Sequence, residues 1–308
     1  MRRVLAILAV LALGAAGTAW LASAPARLEA AAIPQDEGNA ERGRAVFHAG
    51  GCGSCHATPG QADVYRLGGG LELKTDFGSF FAPNISPDPK AGIGSWSKAD
   101  FLNAVMRGVS PDGRHYYPAF PYTAYARMRP EDAVDLLAFI RTLAPDTTAS
   151  HPQKLAFPFS IRRGVGLWKS LYLDTRLPPF DEAKGPAWNR GLYLVEALGH
   201  CAECHSSRNA FGAVIGDARF AGGPNPDGPG TIPNITPHED GIADWTEEDI
   251  ALMLADGFTP EGDTVSGSME AVIRNTSQLS EDDRRAMAVY LKSLPPRPSP
   301  ARGEAQAR

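Results

Sequence analysis

Cysteine is scarce in this chain of 308 residues: there are four, and all fall in two Cys-x-x-Cys-His units, Cys52–His56 and Cys201–His205. A disulfide framework spread through the chain is therefore excluded. There is no excess of positive charge either, the formal net charge being -5, so the electrostatic footprint of a nucleic-acid binder is missing. No Ser/His/Asp array, phosphate-cradling glycine loop or second cluster of metal-ligating side chains occurs, which leaves hydrolytic and nucleotide chemistry without support. Few segments alternate apolar and polar residues at period two, so a sheet-rich core is not expected. Charged residues make up 21% and hydrophobic ones 43%, the balance of a globular protein. The 32 glycines and 26 prolines point to short helices joined by long, rigid loops.

What is present is concentrated in the two units. A redox Cys-x-x-Cys needs no histidine beside it, and a Cys2His2 zinc site wants its histidines spaced apart. Cys-x-x-Cys-His is instead the signature of covalent haem attachment. Each thiol adds across one vinyl group, and two intervening residues let both sulfurs reach the macrocycle. The next residue, His56 or His205, then lies beneath the iron as proximal ligand. Two covalently bound haem c groups are expected, on Cys52, Cys55 and His56 and on Cys201, Cys204 and His205.

Bacterial haem attachment of this kind takes place outside the cytoplasm, so export to the periplasm is implied. The N-terminus agrees. Arg2 and Arg3 precede an uncharged stretch, and Val4 to Ser23 is 20 residues, enough to span a bilayer. Residues 1–26 are read as an uncleaved inner-membrane anchor, with the arginines cytoplasmic. The alternative is a signal peptide cleaved near Ala22-Ser23-Ala24, which Pro25 disfavours.

The rest is organised by a repeat. His56 and His205 are 149 positions apart (205 − 56), and Asn84-Ile85-Ser86-Pro87 returns as Asn234-Ile235-Thr236-Pro237. Gly92 to Trp96 returns as Gly241 to Trp245, and Gly108 as Gly257. Such steady offsets predict a mainly α protein of two tandem haem domains, 40–145 and 186–296, with separate cores. Each copy reads as a helix leading into the attachment unit, a loop, a helix capped by Ser97 or Thr246, and a final helix. Asn84 and Asn234 are expected to form Asx-turns, and Trp96 and Trp245 to anchor the core. The joining segment, 146–185, mixes Pro and aromatics and is expected to pack on the domains rather than hang free. Residues 297–308 read as a loose tail.

Several stretches carry a family likeness: Arg190 to Val195, Gly199 to His205 and Asn234 to Pro237 in the second half, and Phe77-Gly78, Asn84 to Pro87, Gly92 to Trp96, Arg107 to Val109 and Tyr117 to Tyr122 in the first. On these, each half resembles a class I cytochrome c domain. The pair resembles the dihaem cytochromes related to the cytochrome c subunits of membrane-bound alcohol, gluconate and aldehyde dehydrogenases. The resemblance implies electron transfer from a periplasmic dehydrogenase to a respiratory oxidase or another cytochrome, with no nucleic acid involved. There are two departures. Those subunits commonly carry three haem motifs, and this chain has two. Their first domain commonly reads Tyr-Pro-Ala-Met-Pro-Tyr, and here position 120 is Phe.

The distal ligands follow from that likeness. Met269, in a loop ahead of the last helix, stands where a class I distal methionine belongs. In the first half Met128 is the expected ligand, with His115 and Met106 as the other donors. Met253 and Met287 read as helix filler. His200 is expected to bond locally, and His48, His151 and His238 to be solvated. A rival reading makes the first haem a peroxidase-like centre with an open sixth site.

Overall fold

The structure is a computed structural model that describes residues 1–225, 228 and 230–300. It is mainly helical, with a few very short strands. The chain opens with α1 (Arg2–Ala22), apolar, long enough to cross a membrane and with none of its residues buried.

The first half contains α2 (Ala40–Ala49), α3 (Cys52–His56), α4 (Lys98–Arg107), α5 (Tyr122–Tyr125) and α6 (Pro130–Ile140). The joining segment contributes α7 (Arg163–Tyr172). The second half contains α8 (Gly185–Tyr193), α9 (Cys201–Cys204), α10 (Glu247–Asp256), α11 (Ser268–Thr276) and α12 (Glu281–Lys292). Strands β1 (Glu72–Thr75), β2 (Gly78–Phe81) and β3 (Lys154–Leu155) form one antiparallel sheet, and β4 (Gly223–Pro224) pairs with β5 (Thr231–Ile232). Because β3 comes from the joining segment, that segment is sewn into the first half.

The same physical devices recur in both halves. Ser97 and Thr246 each close a capping box, with Asp100 and Asp249, at the start of α4 and α10. Gly108 and Gly257 end those helices in the left-handed conformation, at φ 57° and 83°. The helix entering each attachment unit crosses the last helix of its half at a glycine. A Cβ on Gly43 would stand 1.9 Å from the Asp135 carbonyl oxygen, and one on Gly191 1.9 Å from that of Ala286. Only a residue without a side chain permits so close a crossing.

Two expectations are corrected here. The halves do not have separate cores: one continuous apolar cluster runs from Phe47, Leu102 and Leu137 to Leu192, Leu198 and Ile250. The helix turn between Leu194 and Leu198 packs against α5 of the first half, and α11 packs against α2 and α3, which makes the core common. Nor is the chain loose from 297 onward. The Arg297 amide donates to Thr236 Oγ1 at 3.1 Å, and the Ser299 amide to Asp240 Oδ2 at 3.0 Å. Residues 301–308 lie outside the described residues.

Candidate functional site

Each Cys-x-x-Cys pair occupies one turn of a short helix, so its two sulfurs lie on neighbouring positions of one surface. Gly51, at φ 63°, makes the sharp turn into the first unit. The four cysteines and both following histidines are half-buried. Burial pushes the Cys52 thiol up to about 12 and that of Cys201 to about 11. Thiols raised this far are poor nucleophiles as they stand. Among the described residues no three His, Cys, Asp or Glu converge as a bare-ion site. The donor set suits a macrocycle that brings its own iron.

The two histidines are held identically. His56 Nδ1 lies 2.8 Å from the Pro83 carbonyl oxygen, and His205 Nδ1 2.8 Å from that of Pro233. A carbonyl can only accept, so Nδ1 carries the proton and Nε2 presents a lone pair. Burial lowers the basicity of both rings, and the carbonyl contact opposes it, so both are neutral imidazoles at pH 7. Those carbonyls are themselves fixed. Asn84 and Asn234, each 3% exposed, accept from the amides of Ser86 and Thr236 at 2.8 Å, the expected Asx-turns. Their amide groups donate to Asp146 O at 2.7 Å in the first half and Arg297 O at 2.7 Å in the second.

Beyond the attachment units the halves diverge. The turn after α4 matches the turn after α10: the Tyr116 amide donates to Gly108 O at 2.7 Å, and the Val265 amide to Gly257 O at 2.9 Å. Four residues on from these stand Phe120 and Met269. Met269 is not in a loop but is the second residue of α11, half-buried; that helix extends an additional turn beyond the length of α5. Met128, 3% exposed, precedes α6 and its amide donates to Tyr125 O at 3.0 Å. The Leu279 amide makes the corresponding bond to Thr276 O at 3.1 Å, so Met128 shares the register of Leu279, not of Met269. Met106 is buried within α4.

The remaining histidines are engaged in various ways. His115 Nε2 is turned to the Ser23 carbonyl at 2.9 Å, which ties the N-terminal segment to the body. His48 is not solvated: it is 3% exposed, 3.0 Å from Tyr65 Oη and 3.4 Å from Asn275 Oδ1. His200 stacks edge-on against Tyr125 of the other half, and burial lowers its basicity. His238 accepts from the Asp240 amide at 3.1 Å, and only His151 is exposed.

Sequence reasoning missed the polar clasp between the halves, because its partners are far apart in the chain. Thr123 of α5 donates to Glu203, inside the second attachment unit, at 2.6 Å. Reciprocally, Asn275 of α11 donates to Ser54, inside the first unit, at 2.8 Å. Burial raises the Glu203 carboxyl, but Arg208 and the Thr123 hydroxyl more than offset this and hold it below its ordinary range. Each attachment unit is thus touched by the other half's helix that follows the divergent position.

A cytochrome c family model matches residues 40–144. A dihaem c-type cytochrome of Cereibacter sphaeroides is 49% identical over 298 residues, 93% of this chain and 95% of that one. The cytochrome c subunit of a quinone alcohol dehydrogenase from Gluconobacter oxydans is 34% identical over 84% of this chain. The cytochrome subunit of fructose dehydrogenase from Gluconobacter japonicus is 36% identical over 82% of it. This chain covers 55% and 52% of the length of those last two.

Proposed function

The chain belongs to the dihaem c-type cytochromes and carries two covalently bound haem c groups, and from that premise we propose that it is a periplasmic electron carrier, receiving electrons from a dehydrogenase and passing them to a respiratory oxidase or another cytochrome. Two cytochrome c domains, 40–145 and 186–296, each hold one haem. Cys52 and Cys55, and Cys201 and Cys204, form the thioethers. His56 and His205 are the proximal ligands, Met269 the distal ligand of the second haem and Met128 that of the first. The N-terminal helix stays in place as an inner-membrane anchor.

The observation that carries this reading is the pair of 2.8 Å contacts from His56 and His205 to proline carbonyls. Bound haem supplies one-electron chemistry. The protein's part is to fix ligands and burial. The carbonyl of Pro83 or Pro233 sets the tautomer and raises the basicity of the ring nitrogen aimed at the metal. A thioether opposite favours the ferrous state and raises the potential. The clasp between Thr123, Glu203, Ser54 and Asn275 holds the two units at fixed separation, as transfer between them requires. The buried Glu196 adds to it, its main-chain carbonyl accepting from Arg127 of the first half at 3.3 Å.

Membranes from cells making the protein, given in turn the substrates of candidate periplasmic dehydrogenases, provide the test. At least one substrate reduces both haems, and oxygen reoxidises them through an oxidase. Haem that no dehydrogenase reduces, together with turnover of hydrogen peroxide, overturns the proposal.

A further inference from the structure

Electron transfer leaves unexplained an apolar face on the segment that joins the halves. Phe157 is 81% exposed, Ile161 51% and Leu171 75%, and Phe159 and Leu167 are also exposed. Scattered apolar side chains on a surface need no explanation, but these flank a chain of aromatic contacts. The Phe159 ring packs on Phe77 at 5.0 Å, and a Cβ on Gly212 would lie 3.3 Å from Phe77. Next to Gly212 is Phe211, 67% exposed, whose carbonyl accepts from Trp168 Nε1 at 2.9 Å and whose ring stacks on Tyr172. Within α7, Leu167 and Leu171 are four residues apart and share one face. Val165 and Gly166 are buried on the other.

What covers this face is indicated by where α1 ends. Arg163 donates to the Trp20 carbonyl at 2.8 Å and lies 4.2 Å above the Trp20 ring. Ser170 donates to the Ala22 carbonyl at 3.2 Å. Ser23 is 2% exposed, and a Cβ on Gly166 would fall 2.3 Å from its carbonyl oxygen. Further on, Arg27 donates to Pro111 O at 2.7 Å and the Leu28 amide to Asn103 Oδ1 at 2.7 Å. The chain therefore passes straight from an apolar helix with no buried residue into the folded body, and the element it meets there is α7. A tryptophan at the end of a span marks the membrane interface. If α1 crosses a bilayer, α7 stands at the depth where α1 emerges.

We propose that α7, with Phe157 to Ile161 and Phe211, is seated in the periplasmic leaflet of the bilayer that α1 crosses. The proposal rests on α1 being retained as an anchor. An amphipathic helix lying in the interface buries its apolar side about 5–10 Å into the headgroup boundary. Two attachments, one spanning and one lying flat, fix the orientation of both haem-bearing halves above the membrane, where a single anchor would leave them free to turn.

The test uses the full haem-loaded chain in vesicles of phosphatidylethanolamine and phosphatidylglycerol. The native cysteines are bound as thioethers, so Leu171→Cys introduces the one thiol open to a nitroxide label. Phe157→Cys is a second site, and Asp282→Cys, exposed on α12, is the aqueous control. The expected result is an oxygen-to-nickel-complex accessibility ratio several-fold higher at 171 and 157 than at 282. Equal ratios at all three sites, with the protein still resisting extraction by carbonate, overturn the seat and leave the anchor standing. Labels that are aqueous in vesicles and become shielded only on adding the dehydrogenase overturn it in favour of a protein-docking face. Release by carbonate, with an N-terminus beyond residue 22, removes the anchor and the seat together.

Discussion

The first and second halves agree closely around His56 and His205 and part company at positions 120 and 269. His56 and His205 meet proline carbonyls at the same 2.8 Å, the following asparagines make the same turn, and Gly43 and Gly191 allow the same close helix crossing. Further along each half, Phe120 stands where the second half has Met269, and Met128 where it has Leu279. Attachment chemistry tolerates little variation, since two sulfurs and an imidazole must meet one macrocycle. If Met269 is the sixth ligand, the divergence falls where a haem potential is set.

The largest effect expected is from the shared crossing. Gly43→Val and Gly191→Val each force a side chain into a backbone carbonyl, and each destabilises the protein by about 4 kcal/mol or more. Because the core is continuous, thermal unfolding followed at both haems shifts together in either variant. Loss confined to one half breaks the claim of a common core.

The distal side gives the next effect. Met269→Ala lowers the potential of the second haem alone, and Met128→Ala that of the first alone. Axial ligands set haem potentials over about 0.8 V, so shifts on the order of a tenth of a volt or more are expected in a redox titration. Failure of Met128→Ala to move either potential would show that Met128 does not ligate the first iron.

A smaller effect distinguishes the way the asparagine turns are closed. In the first half the Asn84 amide donates to the main-chain carbonyl of Asp146, a residue held in place by its carboxyl, which Thr148 and Arg66 lower to about 2. In the second the Asn234 amide donates to the main-chain carbonyl of Arg297, a residue that has no carboxyl side chain to lose its charge in acid. Since the folded value lies below the ordinary 3.8, the stabilisation is full above about pH 4 and is lost as pH falls through about 2. Asp146→Asn leaves buried hydrogen bonds unmade and costs about 1–3 kcal/mol. Acid titration followed by the Soret bands perturbs the first haem before the second, and Asp146→Asn removes the difference.

Local patterns made much of this legible in the sequence. The attachment units, the capping residues Ser97 and Thr246 and the Asx-turns at Asn84 and Asn234 all depend on residues within a few positions of one another. The offset of 149 revealed the duplication because both copies retain the glycines and asparagines their backbones need. What stayed hidden depends on contacts far apart in the chain. His48 is buried by Asn275, Thr123 meets Glu203, and Arg297 is pinned by Thr236. Each of these residues has an ordinary solvated alternative, and only tertiary placement decides against it. Ser266-Gly267-Ser268 has weak helix propensity and points to a loop at Met269, but the packing of α11 on the first half overrides it.

The central claim is that both halves hold iron with six ligands and pass electrons, using different elements on the distal side. Exposure of the fully reduced chain to carbon monoxide tests it most directly, with Met128→Leu, which restores the second half's own residue at that register, as the comparison. The account predicts no rapid binding at either haem of the unaltered protein and stoichiometric binding at the first haem of Met128→Leu. Ready binding at the first haem of the unaltered protein, unchanged by Met128→Leu, would show that site to be open and would contradict it.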